Sequence, residues 1–372
     1  MCFICRNNVW DDTVTRQLHI SCSEIETIPV FTNTDFAMFE NCDNLLYIPP
    51  MPRLTSMYII DCNLLYRINP SPNLTKLYIW NTSIVTIPSI PNLEILYIDS
   101  CNRFLKMGEM PSLISLSIIK CPNARLPSAD SSPVIFDLTL DSCNMDSIPS
   151  YPMLSHLWLN SMHRLSHIPQ FENLEFLSIK NCFLIASIPS ILSLTRIIIH
   201  GTGGFFNLPD VLHLLERLEL MNLWIRNIPN YPQLNSLSCF NCPMLDTIHH
   251  NNYKSLTLVD CPKITALPCP LSSLDYFRCD EKSPLRVYAR FFLPSSDFTP
   301  EEQREFIGTT IRLCFLQNKF RQYNYNRRAR QFLSLCYSEP FCRQFWNPDG
   351  MGGRWHIRKM QGFTRQLRSQ LT

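Results

Sequence analysis

Glycine is scarce: nine residues in 372, beside 28 prolines. Turns with so little glycine are expected to rely on fixed backbone angles rather than on glycine's freedom. Charge is sparse too, at 17% of residues, although 45% are hydrophobic. No apolar run reaches 18 residues, so no helical membrane span is expected. The opening "MCFICRNNVWDD" lacks a basic stretch leading into an apolar one, which argues against a secretory signal. The expected location is therefore cytoplasmic, a reducing setting in which the 17 cysteines stay mostly as thiols. Missing as well are a Gly-rich phosphate loop, a His-Glu-x-x-His run and a serine nucleophile elbow. Those absences point to a non-enzymatic chain without cofactor, metal or small-molecule substrate, since a repetitive surface offers catalysis little shelter.

What the chain has is a repeat. Units begin at Thr34, Leu54, Leu74, Leu93, Leu113, Ile135, Leu154, Leu174, Leu194, Leu215, Leu234, Tyr253 and Leu274. Twelve intervals cover 240 residues, a mean of 20, with the consensus L-x-x-L-x-I-x-x-C-x-x-L-x-x-I-P-x-x-P-x. A degenerate unit, Arg16–Pro29, precedes them, and the pattern fades after Cys279. Positions four and six alternate with a polar or aromatic fifth, the period of a half-buried strand. The I-P-x-x-P return, as in Ile87–Pro91 and Ile148–Pro152, loses donors and fixes φ, so it should be extended rather than α-helical. One coil cannot bury its apolar side by itself. Stacking completes the burial and supplies parallel pairing, which makes the fold a solenoid.

The strand pattern resembles the leucine-rich repeat, L-x-x-L-x-L-x-x-N/C. Its 20-residue spacing and I-P-x-x-P return are similar to the short repeats of secreted bacterial effectors, and Cys261–Pro268 is similar to repeats of plant immune receptors. The resemblance covers about three quarters of the chain. It implies an α+β repeat solenoid: a leucine-rich-repeat horseshoe with parallel strands on the concave face and an extended, proline-rich convex side. The expected organisation is an N-terminal cap segment (1–14), a solenoid of 13–14 repeats (15–290) and a basic, mostly helical C-terminal tail (291–372).

In that family the ninth position is a buried turn residue whose side chain bonds neighbouring backbone, rung after rung. Here it is Cys42, Cys62, Thr82, Cys101, Cys121, Cys143, Met162, Cys182, Thr202, Leu223, Cys242 and Cys261, with Cys22 in the degenerate unit. Threonine, methionine and leucine cannot stand in for a zinc thiolate. Parallel Cα–Cβ vectors on adjacent strands also suit a disulfide badly. Cysteine at this site is expected to act as a small hydrophobe with a weak donor. Cys2 and Cys5 form a separate C-x-x-C, open to metal or redox use or to none.

Positions three, five and seven should face solvent and carry binding, as the resemblance implies. Position five reads Tyr58, Tyr78, Tyr97, Ser117, Thr139, Trp158 and Ser178, with Trp80 at position seven. Tyr58, Tyr78, Trp80, Tyr97 and Trp158 are the candidate partner-binding residues, because aromatics with polar tips suit protein interfaces. A tyrosine ladder that only stiffens the sheet is the alternative. Lys180, Arg196, His200 and Arg217, mixed with Glu219 and Asp137, read as a solvated face, and His249-His250 as a loop variation.

From Thr299 onward 13 Lys and Arg face 5 Asp and Glu, net +8, while residues 1–298 carry 20 against 26, net −6. Thr299-Pro300-Glu301-Glu302 makes a good helix start. Leu316–Arg328 resembles a degenerate IQ motif, which implies calmodulin-like binding, and Phe341–Met360 is similar to tails of giant DNA virus repeat proteins. The expected function is a module that binds a protein partner through the concave face, with a viral or host-directed adaptor as its setting. Nucleic-acid or anionic-surface binding through the tail and a ubiquitin-ligase substrate receptor are the alternatives.

Overall fold

The computed structural model describes residues 16–201, 206–270, 273–280 and 283–289. Cys2, Cys5, Thr202 and the whole basic tail, with its expected helices and IQ-like stretch, lie outside the described residues. Two compact units divide the chain, Met1–Leu234 and Asn235–Thr372. In each, the described residues form a β-solenoid of stacked parallel strands, about 13 turns in all at roughly the 20-residue spacing of the repeat.

In the first unit eleven strands run in parallel: β1 (Gln17–Ser21), β2 (Phe36–Glu40), β3 (Ser56–Ile60), β4 (Lys76–Trp80), β5 (Ile95–Asp99), β6 (Ser115–Ile119), β7 (Asp137–Asp141), β8 (His156–Asn160), β9 (Phe176–Lys180), β10 (Arg196–His200) and β11 (Arg217–Met221). Each pairs with the next in sequence, position for position, so that Met57 meets Leu77 and Tyr58 meets Tyr78. The second unit has β12 (Ser236–Phe240), β13 (Ser255–Val259) and β14 (Tyr276–Cys279), then the four-residue helix α1 (Arg286–Ala289). No other α-helix occurs among the described residues. The helices expected of the tail lie outside these residues, which form a parallel β-solenoid with almost no helix, in keeping with the expected repeat solenoid. The physical reason is the proline-rich return, which pairs only in two-residue ladders such as Tyr47–Ile48 with Arg67–Ile68.

The core is a stack of identical layers. In the turn from Leu54, the buried residues are Leu54, Met57, Ile59, Cys62, Leu65, Ile68 and Ser71. The last is position 18, written x in the consensus. Elsewhere it is Met51, Ile90, Met110, Tyr151, Phe171, Ile191 or Tyr231, all buried. Ser71 fits because its hydroxyl accepts the Met51 N–H at 3.0 Å. Tyr151 fits because its hydroxyl donates to the Pro127 carbonyl at 2.7 Å.

Position nine is also internal. All its described cysteines are free and buried. The thiols donate to the carbonyl two residues back, as in Cys121 to Ile119 (3.2 Å) and Cys182 to Lys180 (3.2 Å). Some reach the preceding turn too: Cys42 to Ile20 (3.4 Å) and Cys143 to Ile118 (3.4 Å). Thr82 places its hydroxyl 3.3 Å from the Cys101 sulfur. Burial pushes the Cys143 thiol up to about 11, and a hydrogen bond donated to the Cys42 sulfur, followed by burial, pushes Cys62 up as well.

One expectation needs correcting. The turns do enter the left-handed region, once per coil, at position eight. Asn41, Asp61, Asn81, Ser100, Lys120, Ser142, Ser161, Asn181, Asn222, Asn241 and Asp260 have φ between 46° and 57°, and Gly201 has 62°. Short polar side chains, chiefly Asn and Asp, replace glycine there because they tolerate this conformation and bond locally. Asn81 instead bonds across to the same position of the preceding coil, donating to the Asp61 carboxylate at 2.8 Å. Glycine is required for a different reason at Gly108, where a return segment elsewhere carries proline. A Cβ at that point would collide with the Ser89 backbone.

Candidate interaction surface

Alternation in each strand turns positions three, five and seven to the solvent side, opposite the core. Parallel in-register pairing then lines up equal positions at about 4.8 Å per step. Tyr58 and Tyr78, register partners, therefore stack at 4.6 Å between centroids and 12° between planes. Trp80 lies near-coplanar with both, 5.8 Å from Tyr78 and 6.3 Å from Tyr58. Tyr97 tilts against Trp80 at 5.1 Å and donates from its hydroxyl to Asp99 at 3.3 Å. Phe36, at position three, closes the other end on Tyr58 at 5.3 Å.

The ring faces are thus mostly spent on one another, and the edges and hydroxyls remain for a partner. All four residues Tyr58, Tyr78, Trp80 and Tyr97 are half-buried. Burial pushes the Tyr78 and Tyr97 hydroxyls above the usual range, aided by Tyr58 and by Asp99 respectively. They stay neutral donors at physiological pH.

Trp158 belongs to a second group. Three register steps separate it from Tyr97, through Ser117 and Thr139. It packs on Phe176 at 4.3 Å, with His156 6.0 Å from Phe176 and Phe136 5.1 Å from His156. The Arg196 guanidinium sits 5.3 Å over the Phe176 ring, so one of the basic residues joins this cluster. His200 pairs with Glu219 at 2.8 Å on neighbouring strands. Phe36, Phe176 and His156 were legible as position-three residues, but scanning only position five for aromatics passes over them.

Between the two aromatic groups lie mostly small or charged side chains, with Ile119 in register beside Asp141. Asp141 accepts from Ser142 (2.7 Å) and Asn160 (2.9 Å). Asp137 has a buried Oδ1 with no hydrogen-bond partner. Desolvation raises its carboxyl above the ordinary range, while the His156 imidazole pulls the other way.

Away from this face, a cavity lined by Phe206, Asn207, Asp210, Trp224 and Arg226 opens in the first unit, at an irregular repeat. The regular pattern gave no sign of it. Among the described residues, no three His, Cys, Asp or Glu side chains are placed to hold a metal. No described helix is long and apolar enough to cross a membrane. Compared with known families and with curated proteins, the chain matches no family model and no characterised protein.

Proposed function

We propose that the chain is a non-enzymatic interaction module of the leucine-rich-repeat type, which binds a protein partner through the solvent-facing side of its parallel strands. The observation that carries this reading is the contiguous aromatic group Tyr58, Tyr78, Trp80 and Tyr97 on three adjacent strands. Its rings are held rigid by mutual stacking, so little side-chain entropy remains to be lost on binding. Its hydroxyls supply directional contacts around an apolar body, the make-up of interface hot spots. A reducing compartment such as the cytoplasm of a host cell suits a chain whose described cysteines form no disulfide.

The test is affinity capture from the native host with the wild-type chain and a double variant, Tyr78→Ala with Trp80→Ala. Truncation at a hot spot costs at least about 2 kcal/mol in binding, roughly thirtyfold in affinity. Partner recovery should fall accordingly; unchanged recovery would remove the stripe from the account. The tail's net charge of +8 supports a second reading, in which it adds a contact to nucleic acid or an anionic surface. Such binding would fall steeply with salt.

A further inference from the structure

Down position five of the first unit, bulky side chains stop for two strands and then resume. Tyr97 is followed by Ser117 and Thr139, and then by Trp158. Three steps of about 4.8 Å separate the two aromatics, so a notch roughly 14 Å from wall to wall crosses the strand face. Trp158 is 39% exposed, with surface free for an incoming group. On the second floor strand, Thr139 is flanked by Asp137 and Asp141, which point to the same side. Four residues along a strand put those two carboxylates about 13 Å apart.

That spacing has a natural complement. A second extended chain lying along the notch repeats its side-chain direction every two residues, so its residues i and i+4 would lie over Asp137 and Asp141. Its residue i+2 would lie over Thr139. The charges ask for cations: half-buried Asp137 has its Oδ1 shut away from solvent without a partner, which leaves the rest of its carboxylate to meet a cation, and Asp141 spends one bond on each oxygen and keeps lone pairs free. Trp158, on the strand next to both carboxylates and partly exposed, offers apolar surface to the stem of the same groups.

We propose that this notch binds an extended basic segment of a partner protein, with Lys or Arg at i and i+4 and a small residue at i+2. The inference rests on the strand face being a protein-binding surface and names the chemistry of its partner. The single stretch Asp137–Asp141 then sets the register of the bound chain.

The probe is a fluorescein-labelled peptide, Gly-Thr-Arg-Thr-Gly-Thr-Arg-Thr-Gly, followed by anisotropy with the full chain. Two comparison peptides carry the same residues with adjacent arginines, or glutamates in place of arginines. At least tenfold tighter binding of the spaced-arginine peptide is expected over both. Asp137→Asn with Asp141→Asn should cost tenfold or more. Ser117→Trp, which fills the notch and leaves both carboxylates, should cost as much, and Thr139→Tyr repeats that test at the neighbouring position. Glu24→Gln with Glu26→Gln, off this face, should change nothing.

Equal binding of the isomeric peptides, full binding by both filled variants, or an equal loss in the Glu24/Glu26 control would each overturn the proposal. So would no measurable binding. The two readings part company in affinity capture. If recovery depends on Tyr78 and Trp80 but survives both Asp137/Asp141 neutralisation and Ser117→Trp, the interaction surface stands and the notch falls. If none of these changes matters, both fall.

Discussion

Tyr151→Ala is expected to cost about 3–5 kcal/mol, the range for deleting a buried aromatic ring. Tyr151→Phe should cost about 1–3 kcal/mol, the penalty for leaving one buried acceptor without its donor. Both values follow from position 18. The Tyr151 ring is 1% exposed and fills a site that Ser71 or Ile90 occupies in other coils. Its hydroxyl reaches across to the Pro127 carbonyl at 2.7 Å, in the longest of the repeat units. That unit, from Leu113, carries extra residues around Ser128–Ser132, and the tyrosine is the side chain that ties the widened return segment to the next coil. Thermal or urea unfolding of the two variants measures both costs. A phenylalanine variant as stable as the wild type would mean that the carbonyl finds another donor and the tie is dispensable.

The second large effect lies in the thiol row. Cys121→Asp is expected to cost about 3–5 kcal/mol, as an uncompensated buried charge does. Cys121 is buried: the Ile119 carbonyl takes its proton, and Cys101 and Cys143 hold the same position on the flanking coils. The side-chain hydrogen bond with Cys101, and then burial, already push the Cys121 thiol upward. Cys121→Thr, by contrast, should cost about 1.5 kcal/mol or less, because the volume changes little and a hydroxyl can donate where the thiol did. Thr82 supplies the precedent, buried beside Cys101 at the same rung position. The unfolding midpoints of the two variants decide it. Similar losses for Thr and Asp would mean that the site selects sulfur itself rather than a small, neutral donor.

Much of this architecture could be seen in the sequence because stacking makes each coil repeat the same solution. Leucine and isoleucine at positions one, four, six, 12 and 15 are forced by a common interior, so their period shows without any structure. Position 18 did not show, since its side chains run from Ser71 to Tyr151 and share burial but no chemical type. The left-handed position eight was similarly veiled. Asn, Asp, Ser, Lys and Gly share a backbone angle there, and only the excess of Asn and Asp hinted at it.

The candidate surface was legible in its members and not in its arrangement. Tyr58, Tyr78 and Tyr97 followed from counting to five in each unit, and strand spacing dictated that they stack. That Trp158 stands in a separate group follows from two small residues in the same column, Ser117 and Thr139, whose meaning is a gap between walls. Phe36 and Phe176 entered from the neighbouring column at position three. Asp137 gains its importance from a buried oxygen without a partner and from its spacing to Asp141, which no motif encodes.

The central claim is that the coils superpose with their position-nine side chains inside, leaving one face of the sheet for recognition. Iodoacetamide labelling of the native chain, read cysteine by cysteine by peptide mass spectrometry, tests it most directly. Cys42, Cys62, Cys101, Cys121, Cys143, Cys182, Cys242 and Cys261 should remain unmodified in the folded protein and react fully once it is unfolded. Labelling of these thiols in the native state at the rate of a small free thiol would contradict the stacked interior and the surface built upon it.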